Sequence, residues 1–107
     1  MDNRKLTELC AKAIGCDKLG SWDEKTQCLW DGECWSFAPL DDNNDAFSLA
    51  VKRRIKIEQD DEKSLSIAVC NKDNWAAQEP HNGDDEKATR RAIVVAVAHQ
   101  YLAEIEP

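Results

Sequence analysis

Seven consecutive apolar residues, Ala-Ile-Val-Val-Ala-Val-Ala at positions 92–98, lie inside a stretch, residues 84–106, that contains no glycine or proline. That pattern marks a helix buried over most of its circumference, and in a small chain the remaining elements have to pack around it. The breaker His81-Asn82-Gly83 precedes the stretch, Asp84 or Asp85 supplies an N-cap, and Asp85 and Glu86 fall in the first turn, where the helix dipole favours negative charge. Ile93, Val94, Val95 and Val97 favour a strand by propensity. The length without a turn, and the Ala, Lys, Arg, Glu and Leu around them, favour the helix.

The rest of the chain reads in order. Leu6, Leu9, Cys10, Ala13 and Ile14 recur at helical spacing over residues 3–14, with Gly15 as the stop. Between residues 22 and 39 the pair Asp31-Gly32 separates two runs rich in Trp, Cys and Phe, which predicts a two-residue hairpin. In that register Trp30 faces Glu33, Cys28 faces Trp35 and Thr26 faces Phe37, so Cys28, Trp30, Trp35 and Phe37 share the face that meets a helix. Residues 39–45 form a turn and a capped helix start, followed by Ala46, Phe47, Leu49, Ala50 and Val51 and closed by Lys52, Arg53 and Arg54, a charge order that suits the helix dipole. Strict alternation then predicts a second hairpin. Ile55 and Ile57 stand against Lys56 and Glu58, and after a bend at residues 60–63 Leu65, Ile67 and Val69 form its apolar face. The opposite face, with Ala68 and Cys70, is small and open to a second covering layer. After a turn at residues 71–74, Trp75 to Gln78 suggest a brief edge strand.

These elements make one domain, residues 1–107, of α+β class. The expected architecture is an antiparallel sheet of four to five strands, built from two hairpins and packed against three helices, sandwich-like, with helices on one or both faces. The amino end has no apolar signal segment and no stretch is apolar over the roughly eighteen residues a membrane span needs. Five cysteines, an odd number, without such a signal suit reduced thiols in a cytoplasm.

Little in the residues points to catalysis. The close cysteine pairs, Cys10 with Cys16 and Cys28 with Cys34, are spaced too widely for a zinc knuckle, and Cys28 and Cys34 are expected on opposite ribbon faces. A nucleophile pair of Cys34 and His81 needs a contact that sequence does not show. His99 falls in the buried stripe of the last helix and needs one hydrogen-bond partner, while His81 belongs to a loop. The acidic pairs sit at helix starts and bends, where carboxylates are ordinary. No phosphate loop, nucleophile elbow, metalloprotease or calcium motif occurs. Trp30 and Trp35 go to the core. Trp22 and Trp75, in polar settings, are candidate anchors at a partner surface, although half-buried edge packing is the commoner fate of such residues.

With 14 basic against 21 acidic residues the chain carries −7, which argues against coating nucleic acid. The plain reading of that charge is solubility. The sharper one is a surface that imitates nucleic acid and occupies a basic protein.

Residues 35–52 (WSFAPLDDNNDAFSLAVK), 88–104 (ATRRAIVVAVAHQYLAE) and the opening RKLTELCAKAIG resemble the small proteins of temperate phages and prophages grouped as the phage ABA sandwich domain. Residues 60–83 carry no part of the resemblance. It implies a helix–sheet–helix sandwich and no catalytic residues. The function it leads us to expect is a non-enzymatic accessory protein, without metal or cofactor, that binds a host protein in the bacterial cytoplasm; membrane and direct nucleic-acid binding are not expected, and a homodimer is left open. An acidic anti-defence inhibitor and a protein that sequesters a small ligand are the alternatives. The residues singled out for a partner are Trp22, Trp75, Asp41, Asp42, Asp45, Asp60, Asp61 and Glu62.

Overall fold

The computed structural model describes residues 1–16, 20–32, 36–71 and 73–106. The long apolar stretch is a helix, α3 (Asp85–Ile105), capped by the Asp84 carboxylate on the Lys87 N–H at 3.0 Å and preceded by a turn in which Gly83 takes φ +87°. Between positions 92 and 98 only Val95 is not fully buried, so the helix meets neighbours nearly all round. They are α1 (Asn3–Ala13) and α2 (Asn43–Arg53) on the helical side and the sheet formed by β4 (Ile55–Asp60), β5 (Leu65–Cys70) and β6 (Ala76–Pro80) on the other. Asp2 caps α1 through the Lys5 N–H at 2.8 Å, and Asp42 caps α2 through the Asn44 N–H at 2.7 Å. Arg54, in the left-handed region at φ 57°, turns the chain from α2 straight into β4.

The described strands number six, in two three-stranded antiparallel sheets, where four or five in one sheet were expected. The additional strand is β1 (Ser21–Asp23), which pairs with β2 (Cys28–Trp30); β3 (Ser36–Phe37) completes the small sheet, whose central strand packs on α1. The expected register of this ribbon is overturned. The chain leaves β2 at Trp30 and returns at Ser36, so Leu29 opposes Phe37 and Trp30 opposes Ser36. This shift by an odd number of residues exchanges the two faces. Leu29 and Phe37 are buried and pack toward α1, whereas Trp30 is 51% exposed and Cys28 half-buried, contrary to the core face assigned to them. Glu33, Cys34 and Trp35 lie outside the described residues, as does any pairing of Cys28 with Cys34. The approach of the first two strands is tight at Gly20, where a β-carbon would stand 1.8 Å from the Trp30 carbonyl oxygen.

The second hairpin forms in the expected region, with Ile55 opposite Cys70 and Ile57 opposite Ala68; α3 covers the side of Ile55, Ala68 and Cys70, the small face of β5 left open to a second layer, and not the apolar face of β5. Ser66, Ala68 and Cys70 are fully buried, while Leu65, Ile67 and Val69 are only half-buried on the other face beside Lys56 and Glu58. Small side chains win because a helix centred on alanine and valine comes close only where the sheet is also small. The Cys70 thiol donates to the Ala96 carbonyl at 3.3 Å, and on the opposite side the Cys10 thiol of α1 donates to the Val94 carbonyl at 3.4 Å. Packing interiors to crystal-like density in this way makes the alanines structural. The expected edge strand is present as β6, with Pro80 as its last residue.

Candidate functional site

The amino-terminal end of α3 collects segments far apart in sequence. Asn43, in the first turn of α2, donates its amide to Glu86 at 2.7 Å and accepts from Arg90 at 2.7 Å, while Arg90 Nε donates to the Leu40 carbonyl at 2.9 Å. The β4–β5 bend is tied to the same end, because the His81 N–H donates to the Ser64 carbonyl and the Asp84 N–H to the His81 carbonyl, at 2.9 and 2.8 Å. Three acidic segments therefore share one end of the molecule: Asp41 and Asp42, Asp60 to Glu62, and Asp84 to Glu86.

Their carboxylates are not equivalent. Asp42 caps α2, Asp60 accepts from the Lys63 N–H at 3.0 Å inside the bend, and Asp45 accepts from the Ala38 N–H at 2.8 Å. Burial holds the Asp45 carboxyl above its usual range, with the Ala38 N–H acting in the opposite sense. Asp41, Asp61 and Glu62 are exposed, and among the described residues their side chains make no hydrogen bond, so their charge faces solvent.

The two tryptophans singled out from sequence are both half-buried. Trp22 on β1 is half-buried against the core and donates to Glu24 at 2.6 Å. Trp75 is half-buried and stacks on His99, ring centroids 3.9 Å apart and planes 12° from parallel. His99 lies fourteen residues beyond Asp85 on α3, about 21 Å along the helix. The structure thus gathers the acidic residues, leaves Trp75 apart from them, and ties Trp22 to Glu24 in the turn between β1 and β2.

Two clusters escaped the sequence reading. The first is Asp73, Trp75 and His99, in which His99 Nε2 lies 3.4 Å from Asp73 Oδ2. The Trp75 N–H, and then His99, hold the Asp73 carboxyl below its usual range. The second joins Gln59, Ser66, His81 and Thr89, with His81 Nε2 at 2.9 Å from Gln59 Oε1 and 3.1 Å from Ser66 Oγ, and Ser66 Oγ at 2.8 Å from Thr89 Oγ1. A serine and a histidine at this distance suggest a nucleophile and its base. Ser66 is fully buried, however, and its hydroxyl is already engaged by Gln59 and Thr89, so a substrate carbonyl has no approach. The group instead locks the β4–β5 hairpin to α3. The only sequence trace of it was two polar residues, Gln59 and Ser66, at facing hairpin positions.

Beside this lock, Ala46, Phe47, Ile57 and Ile93 line an open groove of about 370 Å³ between α2, β4 and α3, in which Phe47 is 67% exposed. Among the described residues no group of three or more His, Cys, Asp or Glu side chains is placed to hold a metal ion, and no helix is long and apolar enough to cross a membrane.

The buried thiols give a pH prediction. Burial, and then Asp73, push the Cys70 thiol up to about 11 from an ordinary 9.0, and burial raises Cys10 further still. A group whose folded pKa lies above its unfolded value contributes stability that is complete below pH 9 and declines as pH rises toward 11. Denaturant midpoints are expected to fall between about pH 8 and about pH 10, and replacing Cys10 and Cys70 together by alanine is expected to flatten the decline. An unchanged slope in the double variant would show that other groups cause it.

No family model, curated protein or solved structure matches the chain.

Proposed function

We propose that the protein is a non-enzymatic binding protein of the phage or prophage accessory type, and that its acidic end docks on a basic, nucleic-acid-binding surface of a host protein. The observation that carries this reading is the convergence of the three acidic segments at the start of α3. Asp41, Asp42, Asp61, Glu62, Asp84, Asp85 and Glu86 are all exposed there, in a chain already carrying −7. Lys25, Lys63, Lys87, Arg90 and Arg91 stand among or beside them, so the end is acidic by a small excess. A surface of this kind speeds encounter with a positive partner and repels nucleic acid itself. The accessory role and the bacterial host rest on the resemblance of residues 35–52 and 88–104.

Replacing Asp41, Asp61 and Glu62 together by lysine leaves every cap and turn contact described above in place. The triple variant is expected to keep its fold by circular dichroism and to bind the captured host protein at least about tenfold more weakly. Binding by the unaltered protein is expected to weaken as salt rises from about 0.1 M to about 0.5 M, and duplex DNA is expected to compete. A partner held equally well by the triple variant and at both salt concentrations would remove the reading.

A further inference from the structure

A cleft of about 400 Å³ opens between the start of α3, the start of α1 and the turn that joins β1 to β2. Its charged lining runs against the composition of the chain, for among the described residues Lys25, Lys87, Arg90 and Arg91 meet there, with Asp41 and Asp84 in the lining and Glu79 paired to Arg91 in opposition.

The cations are held in a particular way. Arg90 is braced by neutral oxygens, the Leu40 carbonyl at 2.9 Å and the Asn43 side-chain oxygen at 2.7 Å, and no carboxylate of the described residues forms an ion pair with it. Arg91 donates to the Asn3 side-chain oxygen at 2.8 Å and pairs with Glu79 at 3.1 Å. The Asn3 amide is fixed in turn by Gln27 at 2.7 Å, and Gln27 stands in the left-handed region at φ 53°, a conformation disfavoured for this residue type. Among the described residues the Lys25 and Lys87 ammonium groups have no hydrogen-bond or ion-pair partner. Two braced guanidinium groups and two unengaged ammonium groups thus face one concavity, and fixed donors of this kind suit phosphate oxygens.

The remaining lining narrows the class of ligand. Asp41 and Asp84 are acceptors that suit hydroxyl groups, Asn3 and Gln27 are amides, and among the described residues Leu40 is the only apolar one. Among the described residues no aromatic ring lines the cleft, so they offer nothing for a nucleobase to stack on. The exposed carboxylates around the opening also disfavour an extended polyanion. We infer that the cleft is a binding site for a small phosphorylated polyol, of the size of a pentose phosphate, with its phosphate on Lys87, Arg90 and Lys25 and its hydroxyls toward Asp41 and Asp84. The cleft volume falls within the range of roughly 300–1,000 Å³ usual for small-ligand sites.

The test is calorimetric titration of the whole protein at low salt with ribose 5-phosphate, ribose, inorganic phosphate and adenosine monophosphate as probes. Saturable binding of ribose 5-phosphate is expected, with ribose and inorganic phosphate each at least about tenfold weaker, since each offers half of the recognised chemistry. Adenosine monophosphate is expected to bind no better than ribose 5-phosphate. Lys25→Glu and Lys87→Glu, at exposed positions outside the bracing contacts, are each expected to weaken ribose 5-phosphate about tenfold. The inference is overturned if ribose 5-phosphate and inorganic phosphate bind alike, if neither binds, if adenosine monophosphate binds more tightly, or if the two lysine variants bind as the parent does. The probes and the lysine variants require no host protein, so failure here is distinguishable from failure of the acidic docking surface.

Discussion

Ala96→Leu is expected to destabilise the fold by about 3 kcal/mol, near the upper end of what overpacking a filled core costs. Ala96 is wholly buried, its carbonyl receives the Cys70 thiol at 3.3 Å, and the facing strands offer Ala68 and Ala77, themselves buried. Three added carbons would have to displace buried neighbours, and Val94 and Val97, both fully buried on the same helix, leave α3 no easy rotation. In thermal unfolding a loss of this size lowers the midpoint by on the order of 15 °C for a domain of this length. Ala103→Leu, at an exposed position of the same helix, is the control and is expected to change stability by less than about 0.5 kcal/mol. A loss below about 1 kcal/mol in Ala96→Leu would mean that α3 lifts from the sheet easily, and the close-approach account of why α3 covers the small face would fail.

Arg53→Met is expected to cost about 3 kcal/mol. The side chain leaves the end of α2 and satisfies three acceptors at once: Gln100 Oε1 at 2.8 Å, the Ala13 carbonyl at 3.2 Å and Glu104 Oε1 at 2.6 Å. It therefore joins the ends of α1 and α2 to the second half of α3. Gln100 is 6% exposed, so removing the guanidinium leaves its side-chain oxygen buried without a donor. Methionine keeps most of the apolar stem, which isolates the polar loss from the packing loss. Glu104→Gln removes only the charge of a partly exposed partner and is expected to cost less than about 1 kcal/mol. Equal losses in the two variants, measured by urea unfolding, would assign the stability to the ion pair and not to the buried amide.

Arg53 also shows how a correct local reading can miss the main event. The basic finish of α2 was legible as a match to the helix dipole, and Arg54 does return to its own helix, donating to the Val51 carbonyl at 3.3 Å. Arg53 differs because two other helix ends happen to lie within its reach, and no spacing along one helix encodes that. The candidate site divides in the same way. Each acidic segment was visible as a cap or a bend, yet only the contacts of Asn43 with Glu86 and of His81 with Ser64 bring the segments to one end. The anion-lined end and the cation-lined cleft beside it are both products of how the loops converge on α3. Trp22 and Trp75 were conspicuous in sequence and are half-buried, the commoner fate expected of them, while the stacking of Trp75 on His99 depends on which element crosses above the ring.

What the sequence determined by itself is local. Asp42 and Asp84 cap their helices, the apolar run at 92–98 forms a helix that is buried nearly all round, and alternation places a hairpin over residues 55–70. Backbone capping and side-chain periodicity act over a few residues, so these outcomes need no knowledge of the rest of the chain. The tertiary structure alone decided which face of β5 was covered, the register between β2 and β3, and the gathering of charge at the start of α3. Those outcomes depend on the separation of elements and the length of the connections between them. A helix of small residues settles where approach is closest, on Ser66, Ala68 and Cys70, and one residue of change in a connection turns every side chain of a strand to its other face.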